Sequence, residues 1–317
     1  MYKLKDNYKV NTEIDQLGNN PIAVFAHDAG AAMYIAKLLK MSCTTAIIDI
    51  YVSGPAKNIF QKELKSYKGN NLTFKELVKS DFTSYAYILT GSGWSSDFEL
   101  EGLKLAKEFG VSSITLLDHW TNFRRRLTRG DELFLPDTIW VLDDHAIDLA
   151  KDEFRDLKVT ITKIGDPIKF EISELVGKVN EEKSILYVTE PIGNIGKMNQ
   201  VKGERIFSEK DFFLKFTNII KGLDLNLKIY IRVHPSESRE FYNELIMQSG
   251  LNASISKIDD PLVEILKSRY VVGMESIMLA WAINAGKSVY TMLPKGKHRK
   301  KIPYKAIGKF EDVTTLS

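Results

Sequence analysis

The sequence holds a single cysteine, Cys43, in 317 residues. One thiol excludes an intramolecular disulfide and any zinc or iron–sulfur site built from several cysteines, and it fits a reducing compartment. No stretch approaches the roughly 20 consecutive apolar residues that cross a bilayer. The opening MYKLKDNYKVNTEIDQLGNN is polar and lacks the apolar core of a signal peptide. The expectation is a soluble, cytoplasmic protein that is not exported. Net charge is small, +3 from 44 Lys and Arg against 41 Asp and Glu. That is no electrostatic footprint of a nucleic-acid binder, so nucleic acid is not an expected partner. Repeats at solenoid periods and low-complexity tracts are missing. So are HExxH and any tight histidine–carboxylate spacing, and neither a metal nor another cofactor is expected.

What is present is an ordinary globular composition, 44% hydrophobic and 27% charged, on a chain long enough for two cores. Short apolar runs alternate with amphipathic segments. Ile22–His27, Thr45–Val52, Tyr85–Thr90, Ser113–Leu117, Thr138–Leu142 and Lys158–Ile164 read as strands, each ending at a polar or glycine-containing turn. Helices are expected between them, for instance over Ala56–Ser66 and Asp97–Phe109. The stretch from Asp166 to Lys183 is charged and weakly patterned. The alternation restarts with Ser184–Thr189, Leu227–Val233, Ala253–Lys257, Arg269–Val272 and Ser288–Met292, and a polar loop of roughly fifteen residues, Asn194 to Glu209, interrupts it. This rhythm predicts an α/β protein of two βα domains, each around a mostly parallel sheet. The domains are expected at residues 1–166 and 184–317, joined by a linker over 167–183.

Parallel sheets bind ligands at the carboxyl ends of their strands, where loops and helix N-termini converge. Two such ends stand out. Lys228-Ile-Tyr-Ile-Arg-Val-His-Pro235 is a buried strand that must stop at Pro235, leaving His234 at its end. Tyr270-Val-Val-Gly-Met-Glu-Ser276 is a second strand followed by a glycine, a carboxylate and a hydroxyl at a helix start. Together they predict a nucleotide-phosphate site. Competing motifs fail. The Gly286-Lys-Ser288 triplet precedes a strand and has Trp281 where a P-loop needs glycine. Gly91-Ser-Gly-Trp-Ser-Ser96 follows a strand but lacks the third glycine of a dinucleotide fingerprint.

The other strand ends offer His27, Asp28 and Gly30; Ser92 and Trp94; Asp118, His119 and Trp120; Asp144; and Glu190, Arg232 and Glu275. Each has a bland reading. An Asp before a helix is more often an N-cap than a catalyst, roughly two to one, and that fits Asp144. For Asp28 the odds are even, since Ala29-Gly30-Ala-Ala lets another group approach the backbone closely. A strand-end histidine is structural about as often as functional. Arg124-Arg-Arg126 and Lys297-His-Arg-Lys-Lys301 read as solvated basic faces, with contact to phosphates or to an anionic membrane surface as the lesser alternative.

The run from Pro261 to Tyr290 resembles the C-terminal half of GT-B glycosyltransferases: a helix, a strand, a Gly-x-x-Ser helix start, then a Gly-Lys-Ser-Val strand. Arg232-Val-His-Pro235 is similar to the His-Pro motif of bacterial sialyltransferases and capsule-type Kdo transferases. The likeness covers about half of the second domain at motif level and extends to the first only as architecture.

It implies two Rossmann-like domains facing across a cleft and metal-independent transfer from a nucleotide sugar to a surface-glycan or lipid-linked acceptor. A CMP-linked keto sugar is favoured and a UDP sugar is the alternative. On the donor side it places Glu190, Arg232, His234, Pro235, Gly273, Glu275 and Ser276, with His234, Arg232 and the helix start at Ser276 stabilising the phosphate and His234 protonating or neutralising the leaving group. The acceptor side takes His27, Gly30, Ser92, Trp94 and Trp120, the tryptophans as stacking faces. The base is expected at Asp28, with Asp118 or His119 next. Glu275 replaces the first of the serines often paired in the sialyltransferase motif. A nucleotide-sugar 2-epimerase or hydrolase of the same fold, and a non-catalytic binding component, are the competing readings.

Overall fold

A computed structural model describes residues 12–316 other than 68, 79–81, 94–95, 192–207, 224–226, 294–303 and 305. Two compact units are present, Met1–Ile168 and Lys169–Ser317, and each is described by itself.

Unit 1 is built on a seven-stranded parallel sheet. Its strands are β1 (Ile22–Ala26), β2 (Ile48–Val52), β3 (Leu72–Lys75), β4 (Tyr87–Thr90), β5 (Ser112–Leu117), β8 (Thr138–Val141) and β9 (Thr160–Lys163). Between β5 and β8 lies a small antiparallel pair, β6 (Thr128–Arg129) and β7 (Glu132–Leu133). The order across the large sheet is β3-β2-β1-β4-β5-β8-β9. All five residues of β1 are buried, because it is flanked by β2 and β4 and covered on both faces. Phe25 stacks on Tyr51 with ring centroids 4.8 Å apart, and Phe82, Phe98 and Phe109 extend this aromatic core.

Unit 2 repeats the plan with six parallel strands: β10 (Glu182–Val188), β11 (Lys228–Arg232), β12 (Ala253–Ile255), β13 (Ser268–Gly273), β14 (Ser288–Thr291) and β15 (Gly308–Lys309). Their order is β12-β11-β10-β13-β14-β15. The central β10 is again buried over its last five residues. Tyr187, Phe213, Phe216, Tyr242 and Phe310 fill the core beside it. In both sheets the first strand sits centrally and the order reverses beside it, between β1 and β4 and between β10 and β13. Such a reversal opens a crevice at the carboxyl ends of the two strands.

Most sequence expectations fall within two or three residues of the observed elements. The strand β3 had no counterpart among them. It is an edge strand with three of four residues exposed, so no buried face imprints an alternation on its sequence. The two-residue strands β6, β7 and β15 are too short to carry a pattern. Residues 167–183 carry the helix Pro167–Leu175 and the start of β10. The long polar loop, Trp94 and the basic cluster Lys297–Lys301 lie largely or wholly outside the described residues. Among the described residues no helix is long and apolar enough to cross a membrane.

Candidate functional site

The crevice end of unit 1 is a cluster of carboxylates around the turn that follows β1. Asp28 caps the helix Ala29–Met41, its Oδ1 accepting the Gly30 N–H at 3.1 Å. An N-cap and an accessible carboxylate are thus combined in one half-buried residue. Beneath the turn lies Glu99, 2% exposed, whose Oε1 accepts the backbone N–H groups of His27 (2.7 Å) and Asp28 (2.9 Å). Its other oxygen is buried with no hydrogen-bond partner among the described residues. Burial pushes the Glu99 carboxyl above the usual carboxylate range, and the two N–H groups pull it back. The sequence hides this residue. In the first turn of Phe98–Phe109 it looks like any acidic residue complementing a helix dipole.

Asp118, at the end of β5, is 4% exposed and pairs with Arg126 Nη1 at 3.3 Å. Ser92 Oγ donates to the same oxygen, Oδ1, at 3.5 Å. Burial pushes this carboxyl up to about 6; Arg126 opposes the rise and the charge of Asp28 adds to it. Arg126 corrects the expectation of a solvated basic run. It is 6% exposed, and it donates to the carbonyls of Ser92 and Thr121, both at 3.2 Å. The turn that swings it inward begins at Asn122, which adopts φ 58°, a conformation asparagine tolerates better than most side chains. Charge runs are read from composition, and composition does not record which of three adjacent arginines faces inward.

Gly30 is required by this packing. A Cβ there would lie 1.9 Å from Asp118 Oδ2, and that carboxylate is held by Arg126. Gly30→Ala is expected to cost about 1–3 kcal/mol in urea unfolding, as overpacking does; a neutral result would show that Asp118 moves freely. Gly54, at φ 52°, packs against the His27 ring, where a Cβ would come within 2.4 Å of Nε2.

Two expectations change here. Trp120 is 5% exposed and donates its indole N–H to Asp143 at 2.8 Å, so it presents no face on which a sugar could stack. The N-cap of the helix Asp144–Glu153 is Asp143, which accepts the Ala146 N–H, while Asp144 is the first helical residue and pairs with Lys163. His119 accepts the Trp120 N–H at Nδ1 and is half-buried.

In unit 2 the crevice is spanned by Glu190, just past β10. Its carboxylate accepts the Glu275 N–H at 2.6 Å and also the Ser276 N–H, across from the end of β13. Ser276 is the N-cap of the helix Ile277–Asn284, its hydroxyl accepting the Met278 N–H. Gly273 lets the two strands close up, since a Cβ would meet the Val188 carbonyl at 3.2 Å. Burial pushes the Glu190 carboxyl up to about 8, with the backbone N–H bonds opposing and the Glu275 charge assisting.

His234 lies two residues past the end of β11, beside this crevice. Its backbone N–H donates to Thr189 Oγ1 at 2.9 Å. The Ser236 N–H donates to its Nδ1 at 3.2 Å, with Ser236 Oγ 2.7 Å away. The tautomer that lets Nδ1 accept the Ser236 N–H is the one with the ring proton on Nε2. Pro235, which follows, is exposed. Arg232 departs from its expected phosphate role. Its guanidinium pairs with buried Glu264 and donates to the carbonyls of Ile258 (3.0 Å) and Asp259 (3.1 Å), tying β11 to the loop before Pro261–Lys267. Among the described residues no group of three or more His, Cys, Asp or Glu could hold a metal ion.

No family model matches the chain, and no curated protein does. Solved structures do. The UDP-GlcNAc 2-epimerase of Methanocaldococcus jannaschii in complex with UDP-GlcNAc and UDP is similar at TM-score 0.56 and 12% identity, over 86% of this chain and 83% of that one. The Neisseria meningitidis UDP-GlcNAc 2-epimerase bound to UDP-GlcNAc follows at 0.53 and 11%, over 86% and 82%. A variant of the wall teichoic acid polymerase TagF gives 0.50 and 12%, over 91% and 72%. At these identities the likeness shows the fold: an α/β chain of two Rossmann-like units of the GT-B kind.

Proposed function

We propose that the chain is a nucleotide-sugar-dependent glycosyltransferase. The observation that carries this reading is the end of unit 2's central strands. There His234, its Nδ1 engaged by Ser236, stands beside a crevice closed by Glu190 and the helix start at Ser276. A leaving nucleotide phosphate needs charge stabilisation, and preorganised donors supply it without reorganising during the reaction. His234 offers one such donor. Glu190, whose carboxyl burial raises, offers a second when it carries a proton, in the way a protonated carboxyl serves as a donor elsewhere. Unit 1 supplies the acceptor side, with Asp28 as the base that takes the hydroxyl proton. Asp28 is preferred to Asp118 because it is half-buried where Asp118 is enclosed.

The His-Pro turn favours a CMP-linked keto sugar as donor, and a UDP sugar is the alternative. The acceptor is a surface glycan or a lipid-linked precursor. A thermal-shift series with CMP, UDP and GDP tests the donor assignment. A ligand at 100 times its Kd stabilises by about 2.7 kcal/mol, a rise of several degrees. One nucleotide is expected to give that rise and His234→Ala to remove most of it. No shift with any of the three would overturn the reading.

The likeness to two UDP-GlcNAc 2-epimerases favours a second reading, isomerisation of the nucleotide sugar with no acceptor. Incubating the protein with UDP-GlcNAc alone separates the two. A transferase leaves the sugar's configuration intact, whereas an epimerase converts it.

A further inference from the structure

The His-Pro turn is held by a hydrogen-bond chain that begins at a carboxylate the proposed mechanism does not use. Glu237 lies three residues beyond His234, and its own N–H donates to the His234 carbonyl at 2.9 Å, closing a turn with Pro235 as its second residue. One oxygen of its carboxylate accepts the hydroxyl of Thr189, the other the hydroxyl of Tyr242 at 2.7 Å. Thr189 in turn accepts the His234 backbone N–H. Because its hydroxyl proton is directed to Glu237, the Thr189 oxygen keeps its lone pairs for that N–H. This side chain carries the pairing of β10 and β11 one step further, after the Thr189 N–H has donated to the Arg232 carbonyl at 3.1 Å. Tyr242 is buried in the core beneath, so the carboxylate is anchored to packed structure.

We propose that Glu237 is a positioning residue. By fixing the Thr189 hydroxyl and the turn, it holds the His234 ring so that Nδ1 accepts the Ser236 N–H and Nε2–H is presented to an anionic ligand group such as a nucleotide phosphate. The ligand part of this statement rests on the proposed donor site, but the ring geometry does not. Burial raises the Glu237 carboxyl above the usual range, and the two hydroxyl bonds counter it, as a carboxylate retained for its hydrogen bonds requires.

The test is long-range proton–nitrogen NMR of the histidine rings in the full chain, with His234→Ala identifying the signal. In the wild type His234 is expected as the Nε2–H tautomer. In Glu237→Ala the two nitrogens are expected to move toward the averaged shifts of an exposed imidazole. Turnover is expected to fall roughly 10- to 100-fold, the scale of a displaced reacting group, with a smaller change in donor KM. Glu237→Gln keeps one carbonyl acceptor and is expected to restore part of both. If Glu237→Ala does not fold, Thr189→Val and Tyr242→Phe break the same chain at two separate points and are read in the same way. An unchanged His234 tautomer in folded variants overturns the proposal. If the tautomer shifts in a protein that binds no nucleotide, the positioning role stands and the donor reading falls.

Discussion

Replacing Asp28 by Asn is expected to lower transfer by about 10²–10⁴-fold, the usual contribution of a general base, while nucleotide affinity stays nearly intact. The substitution is clean because Asp28 has two separable jobs. Its Oδ1 caps the helix Ala29–Met41 through the Gly30 N–H, and asparagine caps about as well as aspartate. The backbone N–H groups of His27 and Asp28 remain on Glu99, so the turn keeps its shape. What disappears is the basic oxygen. Nucleotide binding belongs to unit 2 in this reading and is left alone. A side effect provides an internal check. The Asp28 charge helps to hold the Asp118 carboxyl up at about 6, so removing it should move that titration downward. If transfer survives within about tenfold of wild type, the base lies elsewhere, with Asp118 and His119 the next candidates.

Arg126→Met is expected to cost about 3–5 kcal/mol at pH 7, the typical penalty for removing one partner of a buried ion pair. The methionine fills part of the space but leaves the Asp118 carboxylate enclosed, with the carbonyls of Ser92 and Thr121 stripped of their donor. The pH dependence has a definite sign. In the folded chain Asp118 titrates at about 6, above the value of about 3.9 for an unfolded aspartate. Between those values the folded state binds more protons, so stability attributable to this group rises as the pH falls from 6 toward 4. Without Arg126 the carboxyl is raised further, and protonation relieves a larger penalty. The deficit of Arg126→Met should therefore shrink between pH 7 and pH 5. Urea unfolding at the two pH values measures it, and a deficit below about 1 kcal/mol, or one that grows on acidification, would show that the pair contributes little.

Both predictions concern residues whose sequence context misled or was silent. Asp28 stands before a helix with small residues after it, a pattern compatible with a cap and with a site. The structure gives it the cap without closing off its second oxygen. Arg126 sits in a row of three arginines, and only the turn at Asn122 decides that the third points inward. Glu99 and Glu237 could not be singled out at all. Each is a glutamate near a helix start, and each matters because another segment, 71 residues away for Asp28 with Glu99 and 48 for Thr189 with Glu237, delivers the group it bonds. Arg232 erred in the opposite direction. Adjacent to the His-Pro turn it suggested a phosphate ligand, but Glu264, 32 residues on, claims the guanidinium.

The sequence by itself determined the α/β class, the alternation of strands and helices, and the turns at which central strands stop. Those features depend on local patterning: continuous apolar runs for strands buried on both faces, apolar residues at helical spacing, and prolines or glycines that end an element. His234 just past the end of β11 and the helix start at Ser276 were legible for the same reason. Strand order was decided only by the tertiary structure, which places β1 beside β4 and β10 beside β13 and so creates the two crevices. So was the division of labour among carboxylates. Asp28 remains half exposed, Asp118 is enclosed with Arg126, and Glu190 bridges to the N–H groups of Glu275 and Ser276. A carboxylate's burial and partners come from chain segments far away in sequence, and its proton affinity follows from them.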